Sequence, residues 1–258
     1  MMRSLYTAAT GMAAQQTRMD VTANNLANAN TTGFKKERAE FEDLMSEQLR
    51  APGSPDQGSP SPLEVGLGVR TAATSRALSQ GELVHTSTPT DLAIEGAGFL
   101  EVRQTNGELA YTRAGNLRVD STGRLVTPHG EVIQPELTIP TDTLELTIRD
   151  DGTVLAKVPG RDTPEELGSL ELTLFPNAGG LVSLGRNLLG VSQASGEAIR
   201  VRPGEQGAGR LSQGYLENSN VQAVTEMIDM ISTQRAYELN SKVIQTADQM
   251  LQRLTSLR

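Results

Sequence analysis

Residues 218–258 set the tightest limit on the fold. After Val221 there is neither Gly nor Pro up to the last residue, so nothing interrupts a helix. Apolar side chains recur at Val221, Val224, Ile228 and Ile231, and again at Leu239, Val243, Met250, Leu254 and Leu257. The steps of three and four trace one helical face. Ile228, Leu239 and Met250 stand eleven residues apart, and a period of about 3.67 residues per turn keeps the stripe nearly straight. At about 1.5 Å per residue such a helix exceeds about 50 Å, more than a small domain needs. Arg235 and Thr246 fall on or beside the stripe, where a buried seam takes apolar groups. This helix needs a partner surface, from its own chain or from another.

The opposite end carries a second periodic pattern. Leu5, Met12, Met19 and Leu26 are spaced by seven, with Ala9, Gln16 and Ala23 at the interleaved positions. That is an a/d-like stripe, weak because its alternate members are small or polar. A helix of this quality is marginal alone and orders only against others. It runs into a stretch rich in Asn (24, 25, 28 and 30) and then Gly33. Asn favours caps and turns, and Gly takes positive φ at a helix exit. Asn24 and Asn28 either mark a frayed end or reach sideways to fix register between helices. Residues 35–50 are charged, with Phe41, Leu44 and Leu49 as anchors for a short helix or an extended arm. Residues 51–62, APGSPDQGSPSP, exclude a helix or an inner strand and form either a flexible linker or an extended strap.

From Val65 to about Gln213 short β-type runs alternate with turn pairs. Asn106-Gly107 separates 100–102 from 109–111, Thr122-Gly123 separates 117–119 from 125–126, and Asp150-Asp151-Gly152 separates 144–148 from 153–155. Each reads as a hairpin. Residues 170–175 alternate as a further strand. Thr and charged residues on these runs imply sheets with one wet side. The fold expected is discontinuous α + β. Terminal helices, 1–34 and 214–258, form a coiled-coil-like domain; 35–69 is an extended connecting arm or strap; 70–213 is an inserted all-β domain.

Composition and motifs argue against most chemistry. There is no Cys and no Trp among 258 residues, which excludes disulfides and thiol catalysis. It suits a reducing compartment, or a chain that crosses an oxidising one unfolded. Residues 51–214 hold 13 basic and 20 acidic side chains, net −7, so a nucleic-acid partner is not expected. No run of 18 apolar residues marks a membrane span, and the first sixteen residues lack the apolar core of a cleavable secretory signal. His85 and His129 have no acidic or thiol neighbours at metal-ligand spacing. Gly96-Ala97-Gly98 lacks a third Gly and runs into strand-like residues, so it reads as a tight bend rather than a dinucleotide turn. Gly204 to Arg210 is equally weak as a phosphate cradle, and Glu165-Glu166 after Thr163-Pro164 reads as the first turn of a short helix. No active site, metal or cofactor is expected.

Residues 20–35, DVTANNLANANTTGFK, resemble the N-terminal motif of the axial proteins of the bacterial flagellum, the family of rod and hook subunits. Residues 218–221, NSNV, with 227–230 and 234–242, QRAYELNSK, resemble its C-terminal motif. Residues 91–99, 111–115 and 123–127 match as well, so the likeness covers nearly the whole chain, and 79–83 with 248–254 place it nearest the distal-rod members. The resemblance implies a non-enzymatic subunit of a hollow helical tube, the distal rod, joining motor to hook. Its terminal helices pair around the channel and its β domain forms the outer wall. Further implied are export by the flagellar type III apparatus without a cleaved signal and a periplasmic position reaching the outer membrane. The partners are then the P-ring and L-ring proteins, other rod proteins and the hook protein. On this reading Leu5, Met12, Met19 and Leu26 meet Val224, Ile228, Ile231, Leu239, Val243, Met250 and Leu254 within and between subunits. Asn24, Asn25 and Asn28 set register, and Gln234, Arg235 and Asn240 add polar contacts. Residues 46–63 become an ordered strap between neighbours. The alternatives are a proximal-rod or hook paralogue or, in another class, a secreted β-domain enzyme or carbohydrate-binding module with dimerising helical ends.

Overall fold

The uninterrupted periodic segments are helical in the computed structural model, which describes residues 2–50, 63–160 and 163–256. Helix α1 spans Met2–Ala27 and α2 spans Ala223–Ser256. The chain divides into two compact units: Met1–Ala27, Glu37–Arg76 and Gln222–Arg258 form the first, Asn28–Lys36 and Ala77–Val221 the second. The expected boundaries near 34, 69 and 213 therefore fall at 27, 76 and 221. Among the described residues of 37–69, most pair as strands inside the helical unit.

In the first unit α1 and α2 run antiparallel. Asn25 meets Glu226, Arg18 approaches Asp229 at 3.8 Å, and Gly11 lies beside Asn240. A Cβ at Gly11 would stand 3.0 Å from Asn240 Nδ2. That close approach offsets the roughly 1 kcal/mol that Gly costs inside a helix. Strand β1 (Glu37–Asp43) pairs antiparallel with β4 (Val69–Arg76) through a bulge at Glu40/Phe41. Between them β2 (Glu47–Arg50) pairs with β3 (Leu63–Val65). The charged 35–50 segment is thus a ribbon rather than a helix. The Pro-rich strap expected over 46–63 falls largely on 51–62, which lie outside the described residues.

The second unit is antiparallel β throughout. Its edges and hairpins follow from the turn pairs: β7 (Phe99–Arg103) with β8 (Leu109–Thr112), β9 (Arg118–Val119) with β10 (Leu125–Val126), and β12 (Glu145–Ile148) with β13 (Thr153–Lys157). Before these come β5 (Leu83–His85) and β6 (Leu92–Glu95). Strand β11 (Val132–Gln134) lies between β10 and β7 in the larger sheet. After β13, β14 (Glu165–Ser169) pairs onto it, so Glu165-Glu166 open a strand and not the helix turn expected. Then follow β15 (Leu172–Leu174), β16 (Val182–Gly185), β17 (Leu188–Gly190), β18 (Ile199–Val201), β19 (Arg210–Gln213) and β20 (Tyr215–Glu217). The nine-stranded sheet runs β16-β17-β8-β7-β11-β10-β9, with β15 joining β7 to β18. Strand β19 pairs with β6 and β20 with β5.

The core of this unit is aliphatic. Leu92, Leu100, Val102, Leu170, Leu172 and Leu211 are fully buried. A smaller aromatic cluster sets Tyr111 edge-on to Phe175 at 4.8 Å, with Phe99 at 6.0 Å. Strands β12 and β13 alternate buried and open positions as expected of a half-wet sheet, but β6 and β7 are buried on both faces. There the buried Glu101 accepts two bonds from Arg200, of 2.7 and 2.9 Å. Among the described residues no helix is long and apolar enough to cross a membrane, and no three His, Cys, Asp or Glu gather to hold a metal.

Candidate assembly surface

Helix α2 has two opposite characters. Its buried or half-buried side carries Glu226, Thr233, Ala236, Asn240, Ala247 and Leu251. The apolar stripe is centred about 120° round the helix from this side, its Val243 edge running close to Ala236 and Ala247. Val224 is 70% exposed, Ile228 61%, Ile231 52%, Leu239 62%, Val243 47% and Met250 48%. The expectation that this stripe packs on α1 within one subunit is therefore corrected. The side turned to α1 mixes small and polar residues with the half-buried Met230, Ile244 and Leu251, and the helices approach closely at Gly11. Leu5, Met12, Met19 and Leu26 are half-buried, on the flank of the α1 surface that buries Ala8, Ala14, Thr22 and Asn25. The heptad does not form a coiled-coil seam inside the chain. Gln234 and Arg235 are exposed, Asn240 is half-buried, and Leu254 is placed on α2 by its backbone alone.

Of the three asparagines expected to set register, Asn25 is the buried one. Its Nδ2 donates to the Glu37 carbonyl at 2.8 Å and to Glu226 Oε2 at 3.2 Å, while its Oδ1 accepts from Glu37 N at 2.9 Å. One buried amide thus ties α1 to β1 and to the first turn of α2, where a carboxylate also suits the helix dipole. Asn28 lies in the second unit, where its side chain accepts from Thr31 Oγ1 at 3.2 Å and holds a local turn. Asn24 is exposed.

The remaining motif residues converge inside the second unit. Glu217, at the end of β20, receives Lys35 Nζ at 2.6 Å, Arg113 Nε at 2.8 Å and the Gly81 amide at 2.9 Å. Lys35 also donates to the Ser79 carbonyl at 2.7 Å and Arg113 to the Gly96 carbonyl at 2.9 Å. All three charged side chains are buried. Burial depresses the Lys35 ammonium below its ordinary value, against the pull of its bond to Glu217. Burial alone pushes the Glu217 carboxyl up, but the Arg113 charge, the Lys35 bond and the Gly81 amide together hold it below the usual range. Gly33 must be Gly: its φ is 71°, and a Cβ there would come within 2.7 Å of Ala114 N. Asn220 completes the knot, donating to the Ala77 and Ser79 carbonyls at 2.9 and 3.1 Å and accepting from Lys36 N at 2.7 Å.

The periodicity argument missed this cluster. Its members are single charges 78 and 104 positions apart (35 to 113, 113 to 217); Lys35 and Arg113 fall inside the motifs 20–35 and 111–115, whereas Glu217 stands just outside 218–221. His85 packs edge-on against Tyr215 at 5.1 Å, beside a cleft of about 770 Å³ lined by Thr88, Val119, Leu144 and Gln213 among others.

The segments that build these features are the ones known proteins share. The model "Flagella basal body rod protein" matches residues 5–35, "Flagellar hook protein FlgE/F/G D1 domain" matches 93–156, and "Flagellar basal body rod FlgEFG protein C-terminal" matches 212–257. The flagellar basal-body rod protein FlgG of Buchnera aphidicola subsp. Schizaphis graminum is 47% identical over 260 residues, spanning all of both chains. The FlgG protein of Caulobacter vibrioides is 46% identical over 261 residues, again over the whole of both. The chain belongs to the FlgG family of flagellar basal-body rod proteins. The likeness to the flagellar hook protein FlgE of Treponema pallidum, 48% over 130 residues, covers only 50% of this chain and 28% of that one, so the hook alternative is not favoured. The first matched segment ends on Lys35, and the last carries both Glu217 and the α2 stripe. This is a structural family, and the chain is not an enzyme.

Proposed function

We propose that this chain is the structural subunit of the flagellar distal rod, in which copies stack into a hollow helical tube that carries torque from motor to hook. The observation that carries the reading is the exposed stripe on α2. Six large apolar side chains in one line, each about half or more open to water, mark a surface made to be covered. Equivalent surfaces that meet without closing a ring give a filament. Between copies, the α2 stripe meets the half-buried Leu5, Met12, Met19 and Leu26 flank, and the terminal helices form the coiled-coil layer that a single chain does not.

The coarse setting follows from the family: a homo-oligomeric assembly in the flagellar basal body, with other rod and hook proteins as neighbours. The finer setting belongs to the proposal. The distal rod crosses the periplasm inside the P and L rings, and the subunit reaches it through the type III export apparatus without a cleaved signal. Replacing Ile231 by Asp tests the reading. The second unit should stay folded while purified basal bodies lack complete rods and cells lose motility, because the carboxylate would be buried unpaired in the interface. Complete rods built from Ile231→Asp subunits would overturn the role of the stripe.

A further inference from the structure

The larger sheet of the second unit ends in open strands. Its order runs from β16 at one end to β9 at the other, and neither has a second neighbour among the described residues. All four residues of β16 are exposed. Val182 stands opposite Gly190 in register, and the Leu184 side chain lies where a Cβ on Gly190 would point, so both share one face. They are 53% and 51% exposed. Unpaired backbone groups beside an open apolar face make an edge strand a template for pairing with another chain. Natural edges are blunted by charged side chains, yet Arg186 is the only charged residue between 176 and 195. Its side chain is 66% exposed and reaches Glu131 only at 3.8 Å.

The other end of the sheet borders the cleft of about 770 Å³, which is lined by Val119 of β9 and by residues 144–147, most of them in β12. Strand β12 is itself the end of the three-stranded sheet, so two sheets present open edges here. The Gln213 side chain bonds one stretch of the β12 edge, donating to the Leu146 carbonyl at 2.8 Å and accepting from Ile148 N at 3.0 Å. Leu144, just before it, is 71% exposed and Val119 44%. The lining holds two acidic residues, Asp120 and Glu145, and no Lys or Arg. Asp120 is satisfied by Arg124 at 3.0 Å. Glu145 stands opposite Lys157 in register, but no ion pair joins the two. Two apolar side chains and one loosely held cation on the β16 edge thus meet their complement at the cleft, two apolar side chains and one unpaired carboxylate.

We infer that the β16 edge of one copy seats in the cleft of a second copy, Val182 and Leu184 covering Val119 and Leu144 while Arg186 pairs with Glu145. The two surfaces differ, so each copy in a row still offers a free edge or a free cleft, and the contact repeats without closing. This rests on the rod-subunit reading and adds a contact through the second unit to the one made by the helices. The chain has no Cys, so introduced thiols report on this contact alone. The full chain carrying Leu144→Cys with Leu184→Cys is expressed in cells lacking their own copy, and purified basal bodies are treated with a short bis-maleimide. Denaturing gels should show a ladder of dimers, trimers and longer products, because each copy is joined through both positions. Neither single variant should cross-link, and dimers from Leu184→Cys alone would overturn the docking by showing β16 paired with β16. As a second measurement, Glu145→Arg should lower the number of complete rods about tenfold, since two cations would then face each other. Far-UV circular dichroism of the purified Glu145→Arg chain should match wild type, the position being exposed. Complete rods that carry both thiols and give no ladder, or normal rod numbers from Glu145→Arg, would overturn the docking. In both cases the rods leave the rod-subunit reading standing, whereas absence of the wild-type chain from basal bodies would remove that reading.

Discussion

The two units bury opposite kinds of side chain. The second encloses Leu92, Leu100, Leu170, Leu172 and Leu211 completely and ties Lys35, Arg113 and Glu217 into one buried network. The first encloses Ala8, Ala14, Thr22, Asn25, Glu226, Thr233 and Ala247 and leaves the large apolar stripe of α2 exposed. Hydrophobic burial stabilises folded chains in proportion to the apolar area removed from water. The second unit gains that stabilisation within one chain. The first leaves much of it to be gained on assembly. A helix face that looks misplaced in one subunit is thus the part of the molecule that other copies complete.

The largest effect that would sharpen this contrast comes from the second unit's charges. Glu217→Gln leaves two buried cations without their anion and should cost about 3–5 kcal/mol, read as a shift of the denaturant midpoint followed through Tyr111. The same group sets an acid limit. Its native carboxyl is held below the ordinary range, so its contribution is present above that range and is lost as pH falls through the lowered native value. Wild type should lose stability in acid more steeply than the variant. Equal acid profiles would show that the network adds nothing.

Next in size is Leu172→Ala. Leu172 is fully buried, and the cavity should cost about 2–5 kcal/mol in the same measurement. The smallest effect on the soluble chain is expected from Leu239→Ala, within about 0.5 kcal/mol of wild type, although rod numbers should fall. The comparison breaks if Leu239→Ala destabilises the soluble chain as much as Leu172→Ala does, because the outer face of α2 would then be a core in solution.

The hairpins at Asn106-Gly107, Thr122-Gly123 and Asp150-Asp151-Gly152 were readable from local turn chemistry, which acts over four residues and does not depend on the rest of the fold. Residues 35–50 were not, since a charged segment has no period of its own and becomes a ribbon only by pairing with β4. Glu165-Glu166 misled for the same reason: Pro164 and two acids suit a helix start, but an open edge on β13 captured them as a strand.

The sequence by itself determined two long helices, a β insertion between them and the apolar line along α2, because each depends on the order of neighbouring residues. Only the tertiary structure decided which side of α2 faces its own chain. Periodicity reports that a stripe exists, whereas which side of α2 turns inward depends on how closely α1 can approach, and Gly11 admits the side that carries Asn240. The meeting of Lys35, Arg113 and Glu217 was likewise settled by the sheet topology, since no local rule links charges so far apart in the chain.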